Sequence, residues 1–560
     1  MKITSSCKKW RNIAIYALLL LASKGFVSLA DAADWRTLVQ PIGTQNDPFL
    51  IDPAVLNALY STGKGPWDVS TMVTNIKTTT PQFFVRFYNP TAASNASKQE
   101  GSWVMRTSTV RGLNARQIQD LFALPNKPTM MTLAISTTGA SFYTGIAGPI
   151  DGWGNGGGQQ SQSYSGPYTT FFNAQPITAG VLSYQTMAST PNLSTVASYL
   201  VAHTPAAYSD MESIYNSLDV LYNPSSYNLF NSALKSISPA CFDNLAESGV
   251  RAVLVQNKAI DDRIDLLSLQ ESHQGFWAKA VRSYQHYSQT GFDGDVNGII
   301  FGADKKTSAN TLSGISLGWL RGSVNWYDDG GKAVSDYYRI AAYSALVSHN
   351  AFLQATLSTG SANGNSARNI HIGTFYQPSQ YGPITSPLAA VSRTAQADFN
   401  GWNADCTLRG GALLHAGSLT ILPTAGIGYF YQSRGSFNET GAASLDYNIA
   451  EAQSQTFHTH AEIRVDREFL LNEQKKLIPY LSIGWAYETR LDNQSITASM
   501  NGWADSFSTF SPLASGHALT GSAGLMMTIT KSLLLHADYL TQSASKYKDS
   551  AFEAGLSWQF

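Results

Sequence analysis

Polar and apolar residues alternate along the C-terminal half of the chain, from about residue 273 onwards. In the final segment, apolar residues run from Phe552 through Leu556 and Trp558 to Phe560, with polar or small residues between them. Successive side chains of a β-strand point to opposite faces, so the pattern predicts strands with one apolar and one polar face. Such strands fit either a soluble sandwich or a membrane barrel that is apolar outside and polar within. Alternation alone does not choose between them.

Many of the alternating segments have close to the ~9–11 residues that cross a bilayer at a tilt. They are 276–287, 294–304, 312–326, 336–348, 351–361, 396–406, 409–417, 419–433, 456–466, 476–488, 517–529, 532–542 and 550–560. Joining 396–406 to 409–417 gives about twelve strands, an even number as in bacterial outer-membrane barrels. Aromatic residues near strand ends fit the interfacial girdles of a barrel: Trp277, Trp319, Trp326, Tyr429, Tyr431, Trp485, Tyr487, Tyr539 and Trp558.

One of these segments, 456–466, carries a row of polar residues on a single face. A barrel would turn this face towards its water-filled interior, because the opposite face is apolar. The residues expected to face the lumen are His458, His460, Glu462, Arg464 and Asp466.

Between about residues 192 and 267 the apolar residues recur at helical spacing. Ser209 to Glu212 forms a capping box, and Ser238 before Pro239 predicts the start of a long helix that ends near Leu267. At about 1.5 Å per residue this helix is roughly 40 Å long. It is charged along its length, and each charge at the centre of a bilayer costs at least ~2.5–3.5 kcal/mol, so it cannot face lipid. It fits a soluble core or a water-filled pore.

The N-terminus has the pattern of a secretory signal peptide. Basic residues precede an apolar stretch at Ile13–Ala22, and Ala30-Asp31-Ala32 supplies small residues for cleavage before Ala33. No apolar run reaches the ~18 residues of a membrane-spanning helix, which excludes a multi-span helical membrane protein. Charged residues make up only 13% of the chain and the formal net charge is −1, so no nucleic-acid partner is expected.

Several short motifs follow one another in a fixed order: Ser238-Pro239-Ala240, Asp262-Arg263-Ile264, Gly275-Phe276-Trp277-Ala278, Phe292-Asp293-Gly294-Asp295, Gly302-Ala303-Asp304, Leu422-Pro423, Gly428-Tyr429 and Ile478-Pro479. With them, residues from about 225 to 560 resemble the translocator of the autotransporters, the type V secretion proteins of Gram-negative bacteria. Leu556, Trp558 and Phe560 resemble the signal that the outer-membrane assembly machinery reads.

The resemblance implies a mainly β fold. It comprises a C-terminal twelve-stranded antiparallel transmembrane barrel with an α-helix in its lumen, preceded by a helical linker and a small β-rich (α+β) passenger. The expected segments are a signal peptide (1–32), an exported passenger (33–190), a helical junction (191–238), a pore helix (239–270) and the barrel (271–560). The pore-helix residues singled out are Arg251, Asn257, Lys258, Asp262 and Arg263.

The implied function is to anchor in the outer membrane and to export the passenger, which is displayed at the cell surface or released. The implied partners are the outer-membrane bilayer, the Sec translocon, periplasmic chaperones, the barrel assembly machinery and, through the passenger, a host-cell surface. Many members cleave themselves in the pore helix beside a pair of asparagines; here Asn257 stands alone after Gln256. A plain porin is a further alternative, since it uses the same kind of barrel.

The passenger itself gives few signals. Strands are expected at Thr107–Val110 and Met130–Ser136, around a helix at Ala115–Phe122. The stretch Gly145–Gln160, with Arg106 upstream, resembles the necrotizing-toxin type of secreted NAD glycohydrolase, in which a Gly-rich turn ends in a functional glutamine. A flexible Gly/Gln loop on an adhesive surface explains the same stretch. No catalytic, cofactor-binding or metal-binding residues are predicted, and the chain is expected more readily to be an adhesin than an enzyme.

Overall fold

The computed structural model describes residues 39–41, 50–166, 169–178, 180–268, 274–348, 350–472, 475–492, 495–510, 516–530 and 532–559. The chain forms two compact units. The N-terminal unit comprises Met1–Met187, Ser198–Phe230 and Ile372–Val391, and the barrel unit comprises Ala188–Ala197, Asn231–His371 and Ser392–Phe560. The predicted signal peptide and Phe560 lie outside the described residues, and the segment boundaries expected from the sequence stay a prediction.

The N-terminal unit contains two antiparallel sheets. Its strands are β1 (Val39–Pro41), β2 (Leu50–Ile51), β3 (Val73–Thr78), β4 (Gln82–Tyr88), β5 (Trp103–Val104), β6 (Met130–Ser136), β7 (Ser141–Ile146), β8 (Gln159–Ser165) and β9 (Thr170–Pro176). One sheet has the order β1-β3-β7-β8-β5 with β2 paired to β3, and the other has the order β4-β6-β9. Alternate residues of these strands are buried, and Phe84, Phe142 and Phe171 meet in a shared apolar core.

The α-helices among the described residues are mostly short. They are α1 (Pro53–Asn57), α2 (Ala115–Leu121), α3 (Pro191–Ala202), α4 (Asp210–Leu221), α5 (Tyr227–Ile237) and α6 (Asn244–Ser268). Ser209 caps α4 as predicted, because its hydroxyl accepts from the Glu212 N–H at 3.1 Å. None of the helices among the described residues is long and apolar enough to cross a membrane.

Two local predictions are confirmed and two need correction. β6 and α2 form where they were expected. The strand expected at Thr107–Val110 is wrong, since Thr107–Thr109 is a 3₁₀ turn. The long helix also does not begin at Pro239. Ser238 caps a 3₁₀ turn at Pro239–Asp243, and the α-helix follows from Asn244.

Residues 372–391 belong to the N-terminal unit although they lie between two barrel strands in the sequence. They run beside β9, the edge strand of its sheet. The Asn173 N–H donates to the Gln377 carbonyl at 2.9 Å, and the Ser379 N–H donates to the Phe171 carbonyl at 3.2 Å. Tyr376 packs its ring on Phe172. The segment therefore extends the sheet by β-augmentation.

The barrel unit is a closed antiparallel sheet. The strands that form the barrel are β10 (Gly275–Tyr287), β11 (Phe292–Lys306), β12 (Thr311–Trp326), β13 (Gly331–Val347), β14 (Ala351–Ile372), β15 (Val391–Ala412), β17 (Leu419–Arg434), β20 (Ala452–Arg467), β22 (Lys476–Arg490), β25 (Gly516–Thr530), β26 (Leu533–Ala544) and β27 (Tyr547–Gln559). Each pairs with the next, β15 pairs with β17, and β10 pairs with β27 to close the ring. The predicted twelve-stranded barrel is confirmed, with 396–412 inside one long strand.

Six short strands among the described residues complete this unit, and two of them belong to the barrel sheet because they pair with β17 and β22. They are β16 (Leu414–Ala416), β18 (Phe437–Asn438), β19 (Tyr447–Ile449), β21 (Phe469–Leu470), β23 (Ser495–Met500) and β24 (Phe507–Phe510). Four of them form a separate sheet in the order β18-β19-β23-β24, which the sequence did not predict. Among the described residues, Cys241 and Cys406 are free thiols.

The two faces of the barrel differ as an outer-membrane barrel requires. Many exposed outward side chains are large and apolar: Phe276, Phe301, Ile315, Leu317, Trp319, Ile340, Leu357, Ile427, Ile463, Leu481, Ile483, Trp485, Leu519, Phe552, Leu556 and Trp558. The prediction that Trp277 and Trp326 belong to the aromatic girdles is wrong, because both side chains are buried. Trp277 shares the inward face of β10 with Lys279, and its indole N–H donates to the Tyr343 hydroxyl at 2.9 Å.

Candidate functional site: the helix-filled lumen

The helix α6 has an apolar side that packs on one part of the barrel wall. Ile260, Ile264 and Leu267 are buried in one cluster with inward side chains such as Ile300 and Leu320. Small residues of α6, Ala252 and Ala259, belong to the same cluster. Full burial of an apolar side chain contributes about 1.5–3 kcal/mol, so this contact fixes the helix against the wall.

Two arginine–carboxylate pairs hold the C-terminal half of α6. Arg263 donates through two nitrogens to Asp304 on β11, at 2.8 Å each. Asp265 in turn accepts from two nitrogens of Arg409 on β15, at 2.7 and 2.8 Å. Bidentate pairs of this kind are among the strongest hydrogen-bonded contacts and also fix orientation.

In the middle of α6, a side-chain amide contacts the barrel wall. The Asn257 side-chain amide donates to Asp405 on β15 at 2.9 Å. The same carboxylate is paired with Arg339 on β13 at 2.5 Å. Gln256 joins this group, since its carbonyl accepts from Arg339 at 2.7 Å. Asn257 therefore serves as one member of a buried polar network.

A second network surrounds Asp262. This residue accepts from Lys258 one turn earlier, at 2.9 Å, and from Lys279 on β10. Lys279 also donates to Glu553 on β27, and its ammonium lies 3.9 Å from Asp538 on β26. The three carboxylates are close enough together to be considered as metal ligands. The Lys279 ammonium already supplies the cation among them, so the cluster is explained as an ion-pair network.

Arg251 anchors the N-terminal half of α6. It pairs with Glu247 one turn earlier at 3.0 Å and with Glu488 on β22. Its Nε also donates to the Tyr287 hydroxyl at 2.9 Å. All of the pore-helix residues singled out from the sequence thus lie in α6 and contact inward side chains of the barrel.

The row expected to face the lumen lies on β20 and is arranged in two groups. His458 is buried, with Nδ1 3.7 Å from Glu488, and Glu462 lies 3.8 Å from Lys258 of the helix. Arg464 pairs with Asp466 on its own strand at 2.7 Å and stacks over the Tyr480 ring. Within this row Glu462 thus forms an ion pair with Lys258 of the helix, whereas His458 and Arg464 pair with residues of barrel strands.

Opposite the packed side of α6 the lumen retains a cavity of about 190 Å³. Helix and wall residues both line it, including Lys258, Arg409, His460 and Glu462. A cavity of this size and polarity holds water. The helix therefore obstructs the barrel while leaving a wet space along one wall.

Sequence reasoning missed most of the wall residues that bind the helix: Lys279, Asp304, Arg339, Asp405, Arg409 and Glu488. A signal for them exists in the sequence. Lys279, for example, occupies the inward parity of β10 together with Val281 and Ser283. A charged residue at the inward parity of an alternating strand marks a lumen contact, because a charge on the other face would meet lipid.

The barrel region of the chain is similar to known proteins. Residues 276–540 match the family model of the autotransporter beta-domain. An extracellular serine protease of Serratia marcescens is 22% identical over 293 residues, which cover 51% of this chain and 26% of that protein. The chain spans about a quarter of the length of the curated relatives it matches.

Among solved structures, the translocator domain of the autotransporter NalP from Neisseria meningitidis is 16% identical with a TM-score of 0.42. The match covers 56% of this chain and 98% of that one. The beta domain of the Bordetella autotransporter BrkA is also 16% identical, with a TM-score of 0.38, over 51% of this chain and 100% of that one.

A closed antiparallel barrel, apolar outside and filled by a charged helix, defines a membrane β-barrel with a plugged lumen. The family match makes the assignment specific: the C-terminal part of this chain is an autotransporter β-domain. The resemblance inferred from the sequence is thereby confirmed, and the barrel is placed in the outer membrane.

Proposed function

We propose that this chain anchors itself in the outer membrane through its barrel and exports its N-terminal unit to the cell surface. The observation that carries the proposal is the position of α6 in the barrel unit. Its charged side chains pair with inward residues of the wall, which a helix in lipid would not tolerate. The chain that precedes this helix therefore ends at the lumen of the barrel.

The proposed route uses the partners expected from the sequence. The signal peptide at 1–32 engages the Sec translocon, periplasmic chaperones keep the chain soluble, and the barrel assembly machinery reads Leu556, Trp558 and Phe560. Leu556 and Trp558 are exposed on the outward face of β27, as a segment read by another protein needs to be. Folding of the N-terminal unit outside the cell gives transport its direction, since the periplasm holds no ATP.

We further propose that the N-terminal unit stays displayed rather than released. Residues 372–391 lie within this unit and are joined at both ends to barrel strands. A cut in the linker before α6 would leave this segment paired with β9 through Asn173 and Phe171. The backbone hydrogen bonds and the contact between Tyr376 and Phe172 would then retain the cleaved unit.

An adhesive passenger is supported better than an enzymatic one. Gln160, the residue matched to the NAD glycohydrolases, is only 4% exposed, and its amide donates to the Pro66 carbonyl at 2.8 Å. Arg106 is paired with Glu212 at 3.1 Å. The relatives from Serratia are serine proteases by name, but the first histidine of this chain is His203. A serine nucleophile in the N-terminal unit would have to use His203 as its base, and Nδ1 of this histidine lies 2.7 Å from the Tyr199 carbonyl of α3.

Protease digestion of intact cells tests the proposal. We expect added protease to release peptides from residues 50–237 and 373–390, whereas peptides from the barrel strands appear only after the membrane is dissolved. The matched control is Trp558→Ala with Leu556→Ala, which we expect to reduce the surface peptides by impairing assembly. Protection of the N-terminal peptides in intact cells that contain a folded barrel would contradict display.

Electrical recording separates this proposal from a plain porin. With α6 in place we expect planar bilayers containing the full chain to stay closed for most of the recording. Deletion of 239–267 is expected to open the barrel, because the lumen then loses the side chains that fill it. A porin would conduct steadily with the helix present.

A further inference from the structure

The N-terminal unit contains a groove of about 680 Å³ that the export function does not use. Its lining comes from the segments around Glu100, Ser163 and Thr169, together with Ser379 and Tyr381 of the segment 372–391. All of these residues belong to the same compact unit. The volume lies within the roughly 300–1,000 Å³ typical of pockets for small ligands.

Two polar atoms of this groove are buried without hydrogen bonds. The Glu100 carboxylate oxygen Oε1 and the Thr169 hydroxyl have no hydrogen-bond partner among the described residues. Leaving such atoms unpaired is unfavourable, so a buried polar atom without a partner requires an explanation. A ligand that brings hydroxyl groups into the groove would donate to Glu100 and exchange hydrogen bonds with Thr169.

Aromatic rings border the groove. Tyr164 is stacked on Tyr143, with ring centroids 4.0 Å apart, and its hydroxyl donates to Asn75 at 2.7 Å, so the ring is held in place. It remains 40% exposed. Tyr381 also lines the groove and is 81% exposed, so its ring is accessible to a ligand. Rigid aromatic rings offer flat apolar surface at a low cost in conformational entropy.

We propose that this groove binds a neutral oligosaccharide. A sugar ring has an apolar face of C–H groups, suited to Tyr164 and Tyr381, and a rim of hydroxyls, suited to Glu100, Thr169 and the serines. The lining contains many hydroxyl side chains and one carboxylate, and no basic residue among the described lining residues. Arg86, which is not a lining residue, interacts electrostatically with this carboxylate. This charge pattern disfavours sialylated or sulfated glycans, whose anionic groups would meet Glu100.

A peptide fits the groove less well. Peptide recognition in grooves uses apolar pockets for alternate side chains or an open strand edge. The buried apolar ring in this lining is Phe171, and the backbone of its strand is already paired with Ser379 of the segment 372–391. Hydroxyl-rich walls with exposed aromatic rings match a sugar more closely.

An oligosaccharide array tests the proposal directly. The full chain, labelled and held in detergent micelles, is applied to neutral, sialylated and sulfated glycans and to a panel of cationic peptides. We expect retention on neutral glycans. Glu100→Gln is expected to weaken binding about tenfold or more, because a hydrogen bond to a charged acceptor is lost. Asp151→Asn, an exposed acidic residue outside the groove, is the matched control and is expected to bind as the parent does.

Tyr381 provides a test that does not depend on folding, since its side chain is exposed. We expect Tyr381→Ala to weaken glycan binding by up to about tenfold and Tyr381→Phe, which keeps the ring, to retain it. Surface display is measured on the same variants by intact-cell proteolysis, so a failure of export is distinguished from a failure of binding. Retention of cationic peptides alone, no retention of any neutral glycan, or equal binding by Tyr381→Ala and parent would overturn the proposal.

Discussion

Two arginine–aspartate pairs of similar geometry occur in very different surroundings. In the N-terminal unit, Arg111 contacts Asp219 at 2.6 and 3.1 Å, and the rings of Tyr184 and Tyr215 lie against the guanidinium. In the barrel unit, Arg409 contacts Asp265 at 2.7 and 2.8 Å beside a wet cavity. The first pair is an exception within an apolar core, whereas the second is one of many pairs in a polar interior.

The difference shows how each unit handles its apolar surface. The N-terminal unit buries apolar side chains inside, so a buried charge there must be neutralised locally. Burial by itself would lower the pKa of Arg111, but Asp219 and Tyr184 raise it above its ordinary value and keep the guanidinium charged. The barrel instead turns its apolar side chains outward to lipid, which leaves the interior to charges and water.

Removing the isolated pair should have the largest effect. Arg111→Ala leaves Asp219 buried without its cation, which typically costs about 3–5 kcal/mol. We expect the displayed N-terminal unit to lose protease resistance at a markedly lower urea concentration. Arg116→Ala, an exposed arginine on α2, is the control and should change stability by less than about 0.5 kcal/mol. Equal urea midpoints for Arg111→Ala and the parent would show that the pair does not support the core.

One substitution made in both units distinguishes lipid from water as the surrounding medium. Leu481 on β22 is 67% exposed and Leu59 in the N-terminal unit is 78% exposed. Leu481→Arg should destabilise the inserted barrel by about 2–4 kcal/mol if the side chain meets hydrocarbon. Leu59→Arg should have almost no effect, because it meets water. The measurement is the urea midpoint of barrel unfolding in lipid vesicles for the first variant and of protease resistance for the second. Similar small effects would place both leucines in water.

Loosening the helix should alter the pore more than the stability of the wall. Arg263→Ala combined with Arg409→Ala removes two bidentate contacts of α6, each about 1.5–3 kcal/mol. We expect opening events in planar bilayers, while the barrel keeps its resistance to heat in detergent because the strand ladder is intact. Closed bilayers with this double variant would mean that the apolar side of α6 suffices to plug the lumen.

The smallest effect is expected at Lys258. Lys258 pairs with Asp262, which lies one helical turn later in α6, and the Lys258 side chain is partly exposed to the cavity. Asp262 keeps Lys279 as its cation when Lys258 is neutralised, so Lys258→Gln should change stability and closure less than the double variant does. It also serves as the charge-removal control for the double variant. Frequent opening of Lys258→Gln would show that closure depends on net charge in the lumen rather than on bidentate anchoring.

The sequence predicts much of the barrel because alternation with a period of two is strong and uninterrupted. The twelve barrel strands were located, including the long strand that joins 396–406 to 409–417. The structure ends this strand at Ala412, and Leu414–Ala416 forms the separate short strand β16. Trp277 and Trp326 were assigned to the girdles by their distance from strand ends alone. Their parity would have corrected this, since Trp277 and Lys279 share one face of β10.

Features that depend on contacts distant in sequence were not predicted. The segment 373–390 has no periodicity that would connect it to β9, because its pairing uses backbone groups and the Asn173 side chain. The partners of α6 are scattered over strands from β10 to β27, so only a folded barrel brings them together. The 3₁₀ turn at Thr107–Thr109 was predicted as a strand because β-branched residues occupy it, whereas its backbone closes a local hydrogen bond from Thr109 to Arg106.

The central claim is that the barrel is apolar towards lipid and polar towards its lumen. Neighbouring residues on β20 test it most directly: Ile463 is exposed on the outward face and Glu462 lies 3.8 Å from Lys258 of the helix. Nitroxide labels are attached to Ile463→Cys and Glu462→Cys in a background with Cys241→Ser and Cys406→Ser, and the protein is inserted into vesicles. We predict that dissolved oxygen relaxes the label at 463 and that a water-soluble nickel complex does not, while the label at 462 shows no such exposure to lipid. A label at 462 that reports lipid, or one at 463 that reports water, would contradict the account.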